Sequence, residues 1–212
     1  SALADRFAEA WSSQSESLTL EVLVDIDEDG IRPPKSTIKY ISKFYDSLTL
    51  LWQDHIEDKV TALTGNATHL MAVGCDSGDI YIYTPAGRRA FPTINIASTA
   101  ICALECFDST LMAVSCDGVV KLWDISLGMA KADTNLHSLM AKHAAQHVER
   151  PAESVLELQQ IAQPEDGSIV LQDFVSRFAV SELGQALCLM HSGHIFGYST
   201  MLASWACLYA PN

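Results

Sequence analysis

Apolar residues in the middle of this chain come in short runs separated by Asp, Ser and Gly, at 60–63, 70–75, 79–83, 100–106, 111–116 and 119–125. Runs this short, bounded by turn formers and rich in Val, Ile and aromatic residues, predict strands. Asp76-Ser77-Gly78 and Asp117-Gly118 supply the hairpin turns, where Gly takes a positive φ.

The two sets of runs repeat one another. Leu70-Met71-Ala72-Val73 returns forty-one residues later as Leu111-Met112-Ala113-Val114, and Cys75-Asp76 returns as Cys116-Asp117. Upstream, Val60, Ala62 and Leu63 match Ile101, Ala103 and Leu104 at the same offset. One residue then drops out, so Gly78, Ile80, Ile82, Tyr83 and Thr84 match Gly118, Val120, Leu122, Trp123 and Asp124 at an offset of forty. A period of roughly 40 to 45 residues closing on Trp-Asp predicts four-stranded propeller blades.

The flanks are less regular. Leu3, Phe7 and Trp11 stand at i, i+4, i+8 and predict a short helix over 2–11, followed by strands at 18–26, 37–42 and 48–52. Residues 135–147 and 155–161 have helical composition and predict an insertion. A last strand set follows at 174–180, 186–190 and 194–198, with Ser204-Trp205 and Cys207-Leu208-Tyr209 as its outer strand.

The expected architecture is one all-β domain of about three to four WD40/propeller-like blades. It comprises an N-terminal helix and strands (1–48), two WD-type blades (49–128), a helical insertion (129–167) and a further blade (168–212). Propellers close at about four to eight blades. So few leave edges open, and open edges invite pairing; a fragment, or a chain covered by other chains, is expected.

Charge narrows the partners. With 13 basic and 26 acidic residues, a net charge of −13, a nucleic-acid surface is disfavoured and a basic partner electrostatically easier, while acidity that only keeps the protein soluble is the simpler reading. No apolar stretch reaches the length of a membrane span, and the first residues lack a signal-peptide core. Cys75, Cys102, Cys106, Cys116, Cys188 and Cys207 lie mostly in apolar runs without a Cys-x-x-Cys pair, which reads as buried thiols of the cytosol or nucleus. Cys102 and Cys106, four apart in a strand, are expected to face one side of it, toward the core.

Candidate chemistry is sparse. His143 and His147, with His137 upstream, have a spacing that can meet a metal, but no His-Glu-x-x-His pattern or nearby cysteine completes the set, and they read as a solvated helix face. His55 lies between Asp54 and Glu57 with no nucleophile beside it. No Gly-rich phosphate loop or nucleophile elbow occurs. No catalytic, cofactor or metal residue is expected. Trp123 and Asp124 either pack between sheets and bond a turn, or anchor a partner, since Trp dominates interface hot spots. Arg88 and Arg89 either bind an acidic partner or offset an acidic surface. These four are the candidate protein-interface residues.

Leu51-Trp52-Gln53-Asp54-His55, Gly65-Asn66, Gly87-Arg88-Arg89, Leu122-Trp123-Asp124, Leu136-His137-Ser138-Leu139 and Ser204-Trp205 form an ordered set. In order and spacing it resembles the C-terminal region of the HIRA (Hir) family, plant-like members above all, over about residues 49–205. The resemblance implies a non-catalytic scaffold in a nuclear histone chaperone complex for replication-independent nucleosome assembly and transcriptional repression. It implies self-association as a homotrimer and binding of the Hir3/CABIN-type subunit, with core histones and an ASF-class chaperone reached through the wider complex. It further implies helical segments beyond the equivalent of Trp205, on which some of these contacts depend. Neither membrane nor direct nucleic-acid binding is implied. The competing expectation is a generic WD-repeat adaptor of another nuclear or cytosolic complex, which need not carry this ordered set.

Overall fold

In a computed structural model, which describes residues 3–12, 17–26, 32–44, 47–137, 139–140 and 174–211, strands pair with their neighbours in sequence. The first sheet contains β1 (Leu3–Ser12), β2 (Ser17–Ile26), β3 (Lys35–Phe44) and β4 (Ser47–Ile56). The second contains β5 (Val60–Gly65), β6 (Met71–Cys75), β7 (Asp79–Tyr83) and β8 (Ile94–Asn95). β9 (Ile101–Phe107), β10 (Thr110–Ser115), β11 (Val119–Asp124) and β12 (Met129–Asn135) make the third. β13 (Val175–Val180), β14 (Ala186–Met190), β15 (Ile195–Ser199) and β16 (Ser204–Tyr209) make the fourth. The all-β expectation stands, as four small antiparallel meanders.

Two helical expectations do not stand. Leu3–Ser12 forms β1, paired from Leu3↔Ile26 to Ser12↔Ser17. A spacing of four is even, so Leu3, Phe7 and Trp11 satisfy a strand's period of two as well as a helical one, and the ten-residue partner β2 selects the strand. Within the supposed insertion, Met129–Asn135 completes the third sheet as β12. A single helical turn follows, closed by Met140 N–H on Leu136 O at 2.9 Å; residues 141–173, with His143 and His147, lie outside the described residues.

Three hydrophobic layers glue the four sheets face to face. Leu20, Val22, Val24, Ile38 and Tyr40 of sheet 1 meet Met71, Val73, Cys75 and Tyr83 of sheet 2. Leu70, Ala72, Ile80 and Ile82 meet Ile101, Leu104, Leu111 and Ala113 of sheet 3. On its far side, Met112, Val114, Val120 and Leu122 meet Phe178, Ala186, Cys188, Met190 and Tyr198 of sheet 4. β6 and β10 are therefore buried on both faces along their whole length, which is why they read as continuous apolar runs. Sheets 1 and 4 each have one face with no sheet against it among the described residues. The free side of sheet 1 alternates polar Thr19, Glu21, Asp25, Thr37 and Lys39 with a few apolar residues, as a solvated face does.

The ladders place the repeat in a different register from the sequence identity. Gly74↔Ile80 and Val114↔Val120 are equivalent pairs, as are Met71↔Tyr83 and Leu111↔Trp123, all at an offset of forty. Leu70 and Leu111, matched by identity, instead face each other across one layer. The single missing residue thus falls in the turn before β10, where Phe107 and Thr110 are paired, and not after Cys116-Asp117. A one-residue slip exchanges the two faces of a strand, and Leu-Met-Ala-Val tolerates the exchange because both faces are buried.

A feature absent from the sequence pattern also repeats. The first strands of sheets 2, 3 and 4 each carry a register shift, at Thr61, Cys102 and Ser176. Thr61 Oγ1 donates to Gly74 O at 3.3 Å, and Cys102 Sγ to Val114 O at 3.4 Å. The bulge reverses side-chain parity. Cys102 consequently packs toward sheet 4 while Cys106 packs toward sheet 2, so the two cysteines do not share a face as their spacing predicts.

Sheets 2 and 3 approach closely at Gly74, where an added Cβ would lie 2.6 Å from the Ile101 side chain. Gly74→Ala is expected to lower stability by about 1–3 kcal/mol in urea denaturation. In an Ile101→Ala background, which lacks both γ carbons that the new methyl would meet, Gly74→Ala should cost less than in the wild type, and an unchanged midpoint for Gly74→Ala would contradict the packing described.

Candidate functional site

Trp52, on the inner side of β4, stacks on Tyr83 with ring centroids 5.2 Å apart and lies 5.7 Å from Tyr40. Its indole N–H donates to Pro85 O at 3.1 Å, so the β7–β8 connection folds over the ring. Gly87 seals it: φ is +81°, and a Cβ would come within 2.4 Å of Trp52. Two residues on, Arg89 donates from Nε and Nη2 to Asp54 Oδ2 at 3.0 and 2.8 Å, and stacks its guanidinium over Tyr81, 4.9 Å from the centroid. The same Oδ2 accepts the Tyr83 hydroxyl at 2.9 Å. Leu-Trp-Gln-Asp and Gly-Arg-Arg, distant in sequence, are thus two halves of one clamp between sheets 1 and 2. Arg89 is committed to it, whereas Arg88 points its backbone N–H at Thr84 Oγ1 and is exposed.

Partial burial pushes the Asp54 carboxyl up, but hydrogen bonds from Arg89, Tyr83 and the His55 N–H outweigh it and hold it below the ordinary carboxylate value. His55 itself pairs with Thr37 through Nδ1 at 3.1 Å on the exposed side.

Trp123 and Asp124 follow the same plan one sheet on. Trp123 is half-buried and packs into the layer between sheets 2 and 3, the layer that also holds Phe91, Cys106 and Ile125. Tyr83 and Tyr198 hold the equivalent third-strand position in sheets 2 and 4, each facing the preceding sheet. The residue after each aromatic caps the next turn. Thr84 Oγ1 accepts Arg88 N–H at 3.2 Å, Asp124 Oδ1 accepts Leu127 N–H at 3.1 Å, and Ser199 Oγ accepts Leu202 N–H at 3.3 Å. Asp124 Oδ1 further accepts the Ser126 and Ser109 hydroxyls at 2.7 and 3.1 Å, and these bonds, Ser126 first, lower its pKa against slight desolvation. Trp-Asp is the sheet-3 version of an aromatic-plus-cap unit.

The remaining motifs also bridge sheets. Asn66 Nδ2 donates to Asp108 O at 2.7 Å, tying the first turn of sheet 2 to that of sheet 3. Leu136 and Leu139 are buried in the layer between sheets 3 and 4, and Trp205 donates to Asn135 O at 3.2 Å while meeting Tyr198 edge-on at 5.4 Å. Among the thiols, Cys75 and Cys188 are buried, Cys102 and Cys106 half-buried, and Cys116 and Cys207 exposed. Burial lifts Cys188 to about 12. Among the described residues no group of His, Cys, Asp and Glu has the geometry to hold a metal ion.

A family model described as Hira, TUP1-like enhancer of split, matches residues 87–211. The chain is 32% identical to Protein HIRA of Oryza sativa subsp. japonica over 156 residues, 73% of this chain. The chain belongs to the HIRA family. Protein HIRA of Zea mays matches equally, at 32% over 156 residues, and both matches span 14% of the relative's length. Protein hir1 of Aspergillus terreus is 33% identical over 75 residues, 35% of this chain and 7% of its own. The fold is that of the crystal structure of HIRA(644-1017), with a TM-score of 0.63 at 17% identity over 97% of this chain and 56% of that one. The computationally designed Ika8 protein shares it at a TM-score of 0.52 and 11% identity, over 94% of this chain and 59% of that one.

The clamp itself was not legible in the sequence, because Asp54 and Arg89 are thirty-five positions apart; the available signal was their co-occurrence in the ordered motif set. Because the folded pKa of Asp54 lies below its unfolded value, its stabilisation is present above the unfolded carboxyl range, about pH 4, and is lost as pH falls through the folded value. Asp54→Asn is expected to be less stable than wild type at pH 7 and to lose less of its melting temperature on acidification. Parallel acid losses in both proteins would remove Asp54 from the clamp.

Proposed function

We propose that this HIRA-family domain is a non-catalytic scaffold of a nuclear histone chaperone complex, which assembles nucleosomes outside replication and represses transcription. In this reading the domain self-associates, as a homotrimer, and holds the Hir3/CABIN-type subunit; core histones and an ASF-class chaperone are reached through the wider complex. Family membership supports the chaperone assignment. The observation that carries the scaffold reading is the free side of sheet 4. Ala186, Cys188 and Met190 point into the core, so Leu187 and Leu189 face the other way with Ile195 and Gly197 beside them. Leu208 lies against Gly197 there and remains 60% exposed. An apolar sheet face of this kind is what an assembly buries.

Arg88 and the accessible edge of Trp123 are proposed as interface residues, with Asp124 and Arg89 holding the turns behind them. A generic WD-repeat adaptor finds less support, because the family model and the relatives at 32% identity are those of HIRA proteins.

Light scattering coupled to size exclusion is expected to give a mass of three times 23.1 kDa that survives dilution. Trp123→Ala with Asp124→Ala should reduce that mass while a cooperative melt persists. A wild-type monomer at every concentration would refute self-association, and loss of the melt in the double variant would assign both residues to the fold alone.

A further inference from the structure

Six large apolar side chains sit uncovered at one end of sheets 3 and 4. Phe107 ends β9, Leu127 and Met129 lie at the β11–β12 turn, Leu183 at the β13–β14 turn, and Met201 and Leu202 at the β15–β16 turn. Exposure reaches 68% at Leu127, 82% at Leu183, 95% at Met201 and 73% at Leu202. These turns are neighbours. Ile125 N–H bonds Ser109 O at 2.8 Å, and Gly184 lies so close to Thr110 that an added Cβ would be 2.9 Å from its hydroxyl. The pairing of Leu187 with Gly197 brings the last turn to the same end. Turns are normally built from Gly, Asn, Asp and Ser, and none of these large side chains is needed for the turn geometry. Apolar residues repeated on adjacent turns are the mark of a contact surface.

Charge selects what covers it. Asp108 and Glu182 adjoin Phe107 and Leu183, and Asp124 stands three residues before Leu127, against Lys131, whose Nζ lies near Gly184. Asp108 also meets His69 Nδ1 at 3.2 Å, and hydrogen bonds keep Asp124 ionised. Arg88 is one sheet away on the β7–β8 connection. With a chain charge of −13, a second copy brought rim to rim would set carboxylate against carboxylate.

We propose that this rim docks a basic amphipathic segment of another protein, its apolar stripe on Leu127, Leu183, Met201 and Leu202 and its Lys or Arg residues beside Asp108 and Glu182. An amphipathic helix presents both features at once. The inference rests on the scaffold reading only in taking the segment to belong to a partner subunit.

The test uses fluorescence anisotropy with a synthetic leucine–lysine peptide patterned at helical spacing, a scrambled peptide of the same composition, and a leucine–glutamate analogue. The patterned basic peptide should bind, and both controls should bind at least about tenfold more weakly. Leu183→Ser with Met201→Ser and Leu202→Ser should weaken the patterned peptide by roughly tenfold or more, with the light-scattering mass unchanged. Should that variant fold poorly, Glu182→Lys provides a second reading and should weaken the peptide several-fold at low salt. Equal binding by the variant or by the scrambled peptide would overturn the proposal. A fall in mass for the triple variant would overturn it too, by assigning the rim to a second copy. A monomeric wild type that still discriminates the peptides would refute self-association and leave this docking surface standing.

Discussion

Burial of β6 and β10 on both faces is the constraint from which the rest of this structure follows. A strand covered on one side needs alternation only. A strand covered on both needs apolar or hydrogen-bonded side chains throughout, as residues 111–114 and Ser115 show in β10, and neighbouring sheets complementary to each face. The three layers are therefore linked: what packs on Met71 and Val73 fixes sheet 1, and what packs on Leu70 and Ala72 fixes sheet 3. Close packing in such layers leaves little room for added volume, and at Gly74 even one added methyl would press on Ile101.

Hydrophobic layers alone do not set the lateral position of one sheet on the next, because apolar contact is non-directional. Directional bonds at the layer margins supply that information. Trp52 to Pro85, Arg89 to Asp54, Asn66 to Asp108 and Trp205 to Asn135 each cross from one sheet to its neighbour. Several residues of the ordered motif set, Trp52, Asp54, Asn66, Arg89 and Trp205, are these crossing groups. What marks the family in sequence is, to that extent, the architecture. The rim proposed to meet a partner is carried by less distinctive residues such as Leu183 and Met201.

Strand content was legible wherever alternation or a continuous apolar run met a turn signal, as in sheets 2, 3 and 4. The N-terminal strand was misread because Leu3, Phe7 and Trp11 fit two periods at once, and only the partner strand decides between them. β12 was misread because its fate depends on β11 beside it, a pairing that composition does not record. The repeat was found but aligned one residue off over β6 and β10, since identical Leu-Met-Ala-Val segments face opposite ways. Of the four candidate residues, Arg89 proved part of a clamp, Trp123 and Asp124 part of a recurring unit, and Arg88 remained at the surface.

The aromatic-plus-cap unit gives the stack a direction. Tyr83, Trp123 and Tyr198 each reach backward, from a later sheet to an earlier one. A second copy arriving head to tail would set its sheet 1 against the free side of sheet 4. In β3 that side carries Thr37, Lys39, Ile41 and Lys43, with no aromatic to reach backward. Head-to-tail contacts close into a ring where the rotation allows and run on as a fibre where it does not. A joint made this way would lack the backward-reaching aromatic that sets one sheet on the next inside the chain.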